Sequence, residues 1–441
     1  MTPVNSIGRC GVLAADLVDD LVERSGTLKR ELLEFAFHPR YRQALNAALS
    51  AQSAGGVVVA DEDELVRTLD RFVLLHRLSN GRTVLEEFVA ARNDLPEAER
   101  EMLLGWHDVV EGIFEVVRHD AGAMVVDNLV DELTYRVRSN MGMAVLRRLR
   151  PGSFVIGRLV PLGHLWLVSG ALATYQKGAR EALYETAAEM AQEHPRLAFR
   201  NPDRLRRAWE MQRSDRDRFV RFFGADIVVL PGSQLPDQMQ DYYAFSRRET
   251  LAELAARGEV AEYPDQSTRF NWPLELVQPG SVAVIYDEAE GLGYFTGFDD
   301  FEQAFADPGV LSQPRYRQRV LDYLDDDSVS PLPFRRLAER DPDRASLVMQ
   351  TVLRCSTFDW RRDGEGLMRE RKSSFFQRAP LPCVLPVSRR LAPYVVRMNP
   401  GRQDGGGDLC NQVPGGLQSR PSSPPRRPPP QRSAKRRGRG R

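Results

Sequence analysis

The chain of 441 residues exceeds what one hydrophobic core organises, so two to four domains are expected. Apolar residues at 42% and charged residues at 28% allow a sizeable core without metal or disulfide staples, and exclude a chain that is disordered throughout. The formal charge of +0 hides an asymmetry: residues 401–441 carry nine Arg and one Lys against Asp404 and Asp408, so a mildly acidic body precedes a strongly basic tail.

The first hundred or so residues read as helices. Leu13, Leu17 and Leu21, then Leu28, Leu32, Leu33 and Phe35, recur at intervals that place them on one helical face. Asp61 with Glu64, Thr83 with Glu86 and Asp94 with Glu97 each pair a side-chain cap with a carboxylate three residues on, and Pro96 presets a first turn. The period then falls to two. Strands are predicted at 113–119, 123–127, 132–139, 154–160 and 164–168, with a short helical piece before Pro151. In the third strand, Leu133, Tyr135 and Val137 alternate with Thr134, Arg136 and Arg138, the pattern of one buried face. Five short strands within about sixty residues predict a small barrel of SH3 or OB type.

Helices follow at 176–193, 202–222 and 235–257, with a strand at 226–230 between the last two. A second β patch is read at 274–277, 282–287 and 292–296, and helices return from 299 to about 371, where Asp341-Pro342 supplies a cap and first-turn proline. Residues 372–395 read as an irregular packing segment. Beyond them Pro, Gly, Ser and Arg leave almost nothing apolar to offset ordering entropy. A shifted reading frame in a GC-rich gene would give the same composition. The fold class is therefore α+β, mainly helical layers with one small five-stranded β-barrel and a second small β patch. The expected segments are 1–112 helical, 113–172 barrel, 173–260 helical, 261–312 α/β, 313–395 helical and 396–441 a disordered basic tail.

The run from Leu75 to about Gly170 resembles an uncharacterised bacterial family found upstream of SEC-C zinc modules. The residues that carry the resemblance are Asn80-Gly81-Arg82-Thr83, Leu85-Glu86-Glu87-Phe88, Leu95-Pro96-Glu97-Ala98-Glu99-Arg100, Trp106, Gly112-Ile113-Phe114-Glu115-Val116, Arg150-Pro151-Gly152-Ser153 and Val168-Ser169-Gly170. The resemblance would imply zinc-dependent docking through the neighbouring module. That module needs paired cysteines, and the cysteines here, Cys10, Cys355, Cys383 and Cys410, stand far apart, so no zinc is expected. They read as two buried thiols and two terminal ones in a reducing compartment.

No catalytic constellation emerges. The six histidines are scattered, no Gly-x-Ser-x-Gly elbow is present, and Gly291–Gly297 sits within a predicted strand rather than before a helix. Asp325-Asp326-Asp327 opposes a helix dipole and reads as a solvated loop or a seat for a cation or an arginine. No cofactor is expected. No apolar stretch reaches the roughly 18 residues of a membrane span, and no secretory signal opens the chain, so the expected location is the cytoplasm. One local anomaly remains: residues 113–170 hold seven arginines, Arg118, Arg136, Arg138, Arg147, Arg148, Arg150 and Arg158, against five acids. The leading expectation is a non-enzymatic interaction or adaptor protein with a protein partner. The alternative is a nucleic-acid-associated protein whose barrel-face arginines and basic tail meet phosphates.

Overall fold

The computed structural model describes residues 15–53, 62–120, 122–258, 272–377, 379–386, 388, 390–394 and 407–408. The Asp61 cap, Cys10, Cys410 and the basic segment from 396 onward, apart from Gly407–Asp408, lie outside them. The chain folds as two compact units. The first comprises Met1–Arg218, Ala244–Arg269 and Leu381–Leu409, the second Phe219–Tyr243, Phe270–Pro380 and Cys410–Arg441.

Five helices open the first unit: α1 (Ala15–Ala36), α2 (Arg42–Ser53), α3 (Glu62–Leu75), α4 (Val84–Ala91) and α5 (Glu97–Gly105). On α1 the buried stripe is Val18, Leu21, Val22, Leu28 and Leu32, and Leu17 is exposed. Helix α4 starts on a complete capping box, in which Thr83 Oγ1 accepts from the Glu86 amide and Glu86 Oε2 accepts from the Thr83 amide at 2.7 Å. The start of α5 departs from expectation. Pro96 occupies the cap position, because both Asp94 oxygens are taken by Arg92 at 2.8 Å.

Strands β1 (Val110–Asp120), β2 (Ala123–Asn128) and β3 (Thr134–Arg138) precede the short α6 (Met143–Leu146), and β4 (Phe154–Leu162) and β5 (Leu165–Tyr175) follow it. They form a mixed sheet in the order β1-β2-β3-β5-β4, and β4 pairs in turn with β1. Only β3 and β5 run parallel. The inner side holds Phe114, Val116, Val126, Tyr135, Val137, Val155 and Leu159. On the outer side, Val160, Leu162, Leu165 and Leu167 join the core of α1–α5, with Trp106 and Phe72. Ile113 and Phe154 pack instead with the helices α7 (Arg180–Glu193), α8 (Pro195–Ala198) and the start of α9 (Pro202–Phe223), and with Val384 and Leu385.

Two strands outrun their predicted ends for local reasons. Strand β1 begins at Val110, where helix was expected, and Gly112 within it admits the Asn128 side-chain amide, whose oxygen lies 2.4 Å from where a Cβ would stand. Strand β5 continues past Ser169-Gly170 through a register shift opposite Ile156–Arg158, with Gly170 at φ +73°.

In the second unit β6 (Ile227–Leu230) leads into a stretch of α10 (Leu235–Ala256). Leu274–Val277, expected as a strand, is the helical turn α11: Pro273 sets its entry and the Gln278 amide donates to the Leu274 carbonyl at 2.9 Å. Strands β7 (Val282–Asp287) and β8 (Gly291–Thr296) complete an antiparallel sheet in the order β6-β7-β8. Helices α12 (Phe298–Ala306), α13 (Pro314–Asp325), α14 (Leu332–Arg340), α15 (Pro342–Leu353), α16 (Trp360–Arg371) and α17 (Ser373–Phe376) pack around Phe298, Phe301, Phe334, Val348 and Met349. Asp341 caps α15 through the Arg344 amide, with Pro342 in its first turn.

A charged cluster joins the helices of the first unit to its sheet. Asp70 of α3 is 1% exposed. Lys29 Nζ of α1 lies 2.5 Å from its Oδ1, Ser169 Oγ of β5 donates to the same oxygen at 2.7 Å, and Arg158 Nη1 of β4 stands 3.7 Å from Oδ2. Removing one member of such a buried set strands the others without a counter-charge. Asp70→Asn is therefore expected to cost about 3 kcal/mol in urea unfolding, with part recovered by adding Lys29→Met. A cost below about 1 kcal/mol, the surface-pair range, would show that the cluster does not hold the layers together.

Candidate interaction site

The seven arginines of the 113–170 segment separate by environment. Arg158 is 7% exposed and donates to the Arg67 carbonyl and to Glu111, each at 2.8 Å. Arg138 pairs with Asp19 of α1, and Arg136 with Asp120 at 3.3 Å. Arg118, Arg147, Arg148 and Arg150 are exposed, and among the described residues their guanidinium groups make no ion pair and no hydrogen bond.

Those four come together at one rim. His119 Nε2 lies 2.7 Å from the Leu149 carbonyl, and the Gly152 amide donates to the Val116 carbonyl at 2.8 Å, so the 147–150 segment runs beside the end of β1. Val117 precedes Arg118 in β1, Met141 lies just before α6 and Val145 within it; they are exposed at 38%, 79% and 47%. The outward positions of β3 are Thr134, Arg136 and Arg138, on the face opposite buried Tyr135 and Val137.

The β2–β3 turn fixes this face from within. Asp131, fully buried, accepts from Asn128 Nδ2 at 2.9 Å, the Leu133 amide at 2.8 Å and the Tyr135 hydroxyl at 2.6 Å. Glu132 adopts a left-handed φ of 62°, which is why the strand starts at Thr134 and not at 132. Around it Arg204 donates to the Val130 and Pro386 carbonyls.

Sequence reasoning found the segment but not which of its arginines are committed within it. It also passed over Arg77, and named Arg82 and Arg100 only as parts of motifs. These three line an open groove of about 480 Å³ on the α4–α5 side. In the second unit the Asp325–Asp327 run meets basic side chains: Arg371 lies 3.0 Å from Asp325, and buried Lys372 donates to the Asp326 carbonyl, so the helix end has cationic partners. Gly297 does precede a helix, α12, but Asp299 and Asp300 occupy its first turn, which disfavours a phosphate. Cys355, expected to be buried, is exposed at the α15–α16 turn, and Cys383 is half-buried. Among the described residues no group of three or more His, Cys, Asp or Glu is placed to hold a metal, and no helix is long and apolar enough to cross a membrane.

Residues 20–223 match the model of a family of unknown function, DUF7986. The match covers just under half of the chain and includes the whole 75–170 segment; the expected association with zinc modules is not shown by it. No curated protein and no solved structure matched.

Burial pushes the Asp131 carboxyl above its ordinary value, and the Tyr135 hydroxyl bond only partly opposes this. A carboxyl raised in the folded state adds stability that is full below its unfolded pKa and is lost as pH rises through the folded one. Relative to Asp131→Asn, the natural chain should therefore gain stability as pH falls from 7 towards 4. Paired urea titrations check this, and a difference that is flat or reversed over that range contradicts it.

Proposed function

We propose that the chain is a non-enzymatic, cytoplasmic interaction protein whose rim at β1 and α6 docks an acidic, partly apolar segment of a protein partner. The observation that carries this reading is that exposed Val117, Met141 and Val145 lie on the same β1 end and α6 region as four exposed arginines that have no counter-charge among the described residues. Bare phosphate recognition uses cations alone, and base stacking adds aromatic platforms. Here the outward side chains beside the arginines are aliphatic, and β3 presents Thr134, Arg136 and Arg138. Acidic residues would answer the guanidinium groups and set orientation, while aliphatic ones would supply the dry contact.

A second reading, nucleic-acid binding, is favoured by one feature. The order β1-β2-β3-β5-β4, with β3 parallel to β5 and a helical segment between β3 and β4, fits a small barrel of OB type better than one of SH3 type. In that case the rim and the basic residues of 401–441 would share the phosphates, with affinity falling at a log–log slope of about −0.9 per phosphate neutralised on duplex DNA.

Fluorescence anisotropy on the full chain separates the two, using a labelled peptide of alternating Glu and Leu and a labelled oligothymidylate. Met141→Ser with Val145→Ser changes only exposed positions, so stability should move by less than about 0.5 kcal/mol each. The pair should weaken the peptide roughly tenfold and leave the oligothymidylate unchanged. Tighter binding of the oligothymidylate, sensitive to Arg147→Glu with Arg148→Glu and Arg150→Glu but not to the apolar pair, would replace the protein-partner reading by the nucleic-acid one.

A further inference from the structure

The α4–α5 groove lies on different residues from the rim, and its chemistry differs. It is lined by Arg77, Asn80, Gly81, Arg82, Glu86, Val89, Ala90, Arg100 and Leu104. At about 480 Å³ it falls within the size range of small-ligand sites. None of its three arginines has an ion-pair partner among the described residues. Arg77 donates to the Gly81 carbonyl at 2.7 Å, Arg82 to the Glu86 carbonyl at 3.2 Å, and Arg100 to the Val89 and Arg92 carbonyls at 3.2 and 2.9 Å. Carbonyls orient a guanidinium without neutralising it, and each guanidinium has five N–H donors, so most donors stay uncommitted.

The one carboxylate in the lining is already engaged. Glu86 Oε2 closes the capping box, and its Oε1 is 3.5 Å from His107 Nε2. The loop that carries Arg82 is fixed as well: Asn80 Oδ1 accepts from the Arg82 amide at 3.0 Å, Asn80 Nδ2 donates to Glu87 at 2.6 Å, and the Leu78 amide donates to the Arg82 carbonyl at 2.8 Å. Gly81, at φ +80°, makes the turn. Within the lining, three cations and one acid leave an excess of two positive charges, which suits a phosphate dianion, while Glu87 just outside it is shared by Asn80, Tyr41 and Arg40 as well as Arg82. Beside them Val89, Ala90 and Leu104, the last 42% exposed, give an apolar floor.

We propose that this groove binds a small organic phosphate, its phosphate held by Arg77, Arg82 and Arg100 and its apolar body lying on Val89, Ala90 and Leu104. Bidentate guanidinium forks suit phosphate oxygens, and a preformed loop lowers the ordering cost of binding. The assignment stands apart from the rim and survives the failure of either reading of it.

Isothermal titration of the full chain with phenyl phosphate, inorganic phosphate and phenol tests it. Phenyl phosphate should bind saturably and roughly tenfold more tightly than inorganic phosphate, the gain from covering one ring face, and phenol should give no saturable heat. Arg77→Gln with Arg82→Gln should weaken both phosphates at least about tenfold. Arg77→Lys with Arg82→Lys, which keeps the charge but not the fork, should fall between. Leu104→Ser should erase the advantage of phenyl phosphate and leave inorganic phosphate unchanged. The rim variant Arg147→Glu with Arg148→Glu and Arg150→Glu should bind as the natural chain does. The proposal is overturned by no saturable binding, by binding that the groove variants leave intact, or by equal affinity for the two phosphates.

Discussion

A single buried carboxylate holds the first unit in register. Asp70 comes from α3, its ammonium partner Lys29 from α1, its guanidinium neighbour Arg158 from β4 and its hydroxyl donor Ser169 from β5. A carboxylate at 1% exposure is stable as an ion only where such partners converge. The apolar contact between helices and sheet, from Trp106 and Phe72 to Leu165 and Leu167, supplies non-directional attraction. It tolerates sliding. The charges do not, since each must find the same two oxygens. Arg158 is held by Asp70, Glu111 and the Arg67 carbonyl, which fixes β4 against the helices.

Commitment of charge is the feature that organises the surface. The arginines of residues 113–170 look alike in sequence, yet Arg158 serves the interior, Arg136 and Arg138 serve strand and helix neighbours, and Arg118, Arg147, Arg148 and Arg150 serve nothing within the described residues. A charged side chain that a fold does not use is available to a partner, and its solvation cost on binding is lowest where the partner brings the opposite sign. The same logic marks the α4–α5 groove, where three guanidinium groups lean on carbonyls and not on acids.

Much of this was legible in the residues themselves. Alternation around Tyr135 and Val137 gave the buried face of β3, Thr83 with Glu86 gave the capping box, and Asp341-Pro342 gave the start of α15. What failed was local competition. Asp94 was taken by Arg92 before it could cap, Pro273 turned Leu274–Val277 into a helical turn, and Gly112 admitted the Asn128 side chain inside a strand that begins three residues earlier than expected. The site was half visible. Composition located the basic segment, but pairing with Asp19, Asp70 and Glu111 joins residues far apart in the chain, and no local pattern reports it.

The rim of β1 and α6 is the binding surface proposed for this protein. Hydrogen–deuterium exchange on the full chain, with and without a saturating acidic–aliphatic peptide, tests it most directly. Exchange should slow in peptides spanning 116–120 and 141–150, with the α4–α5 groove at 77–104 unchanged. Slowed exchange confined to the groove, or to residues 401–441, with 116–120 and 141–150 unaltered, would contradict it.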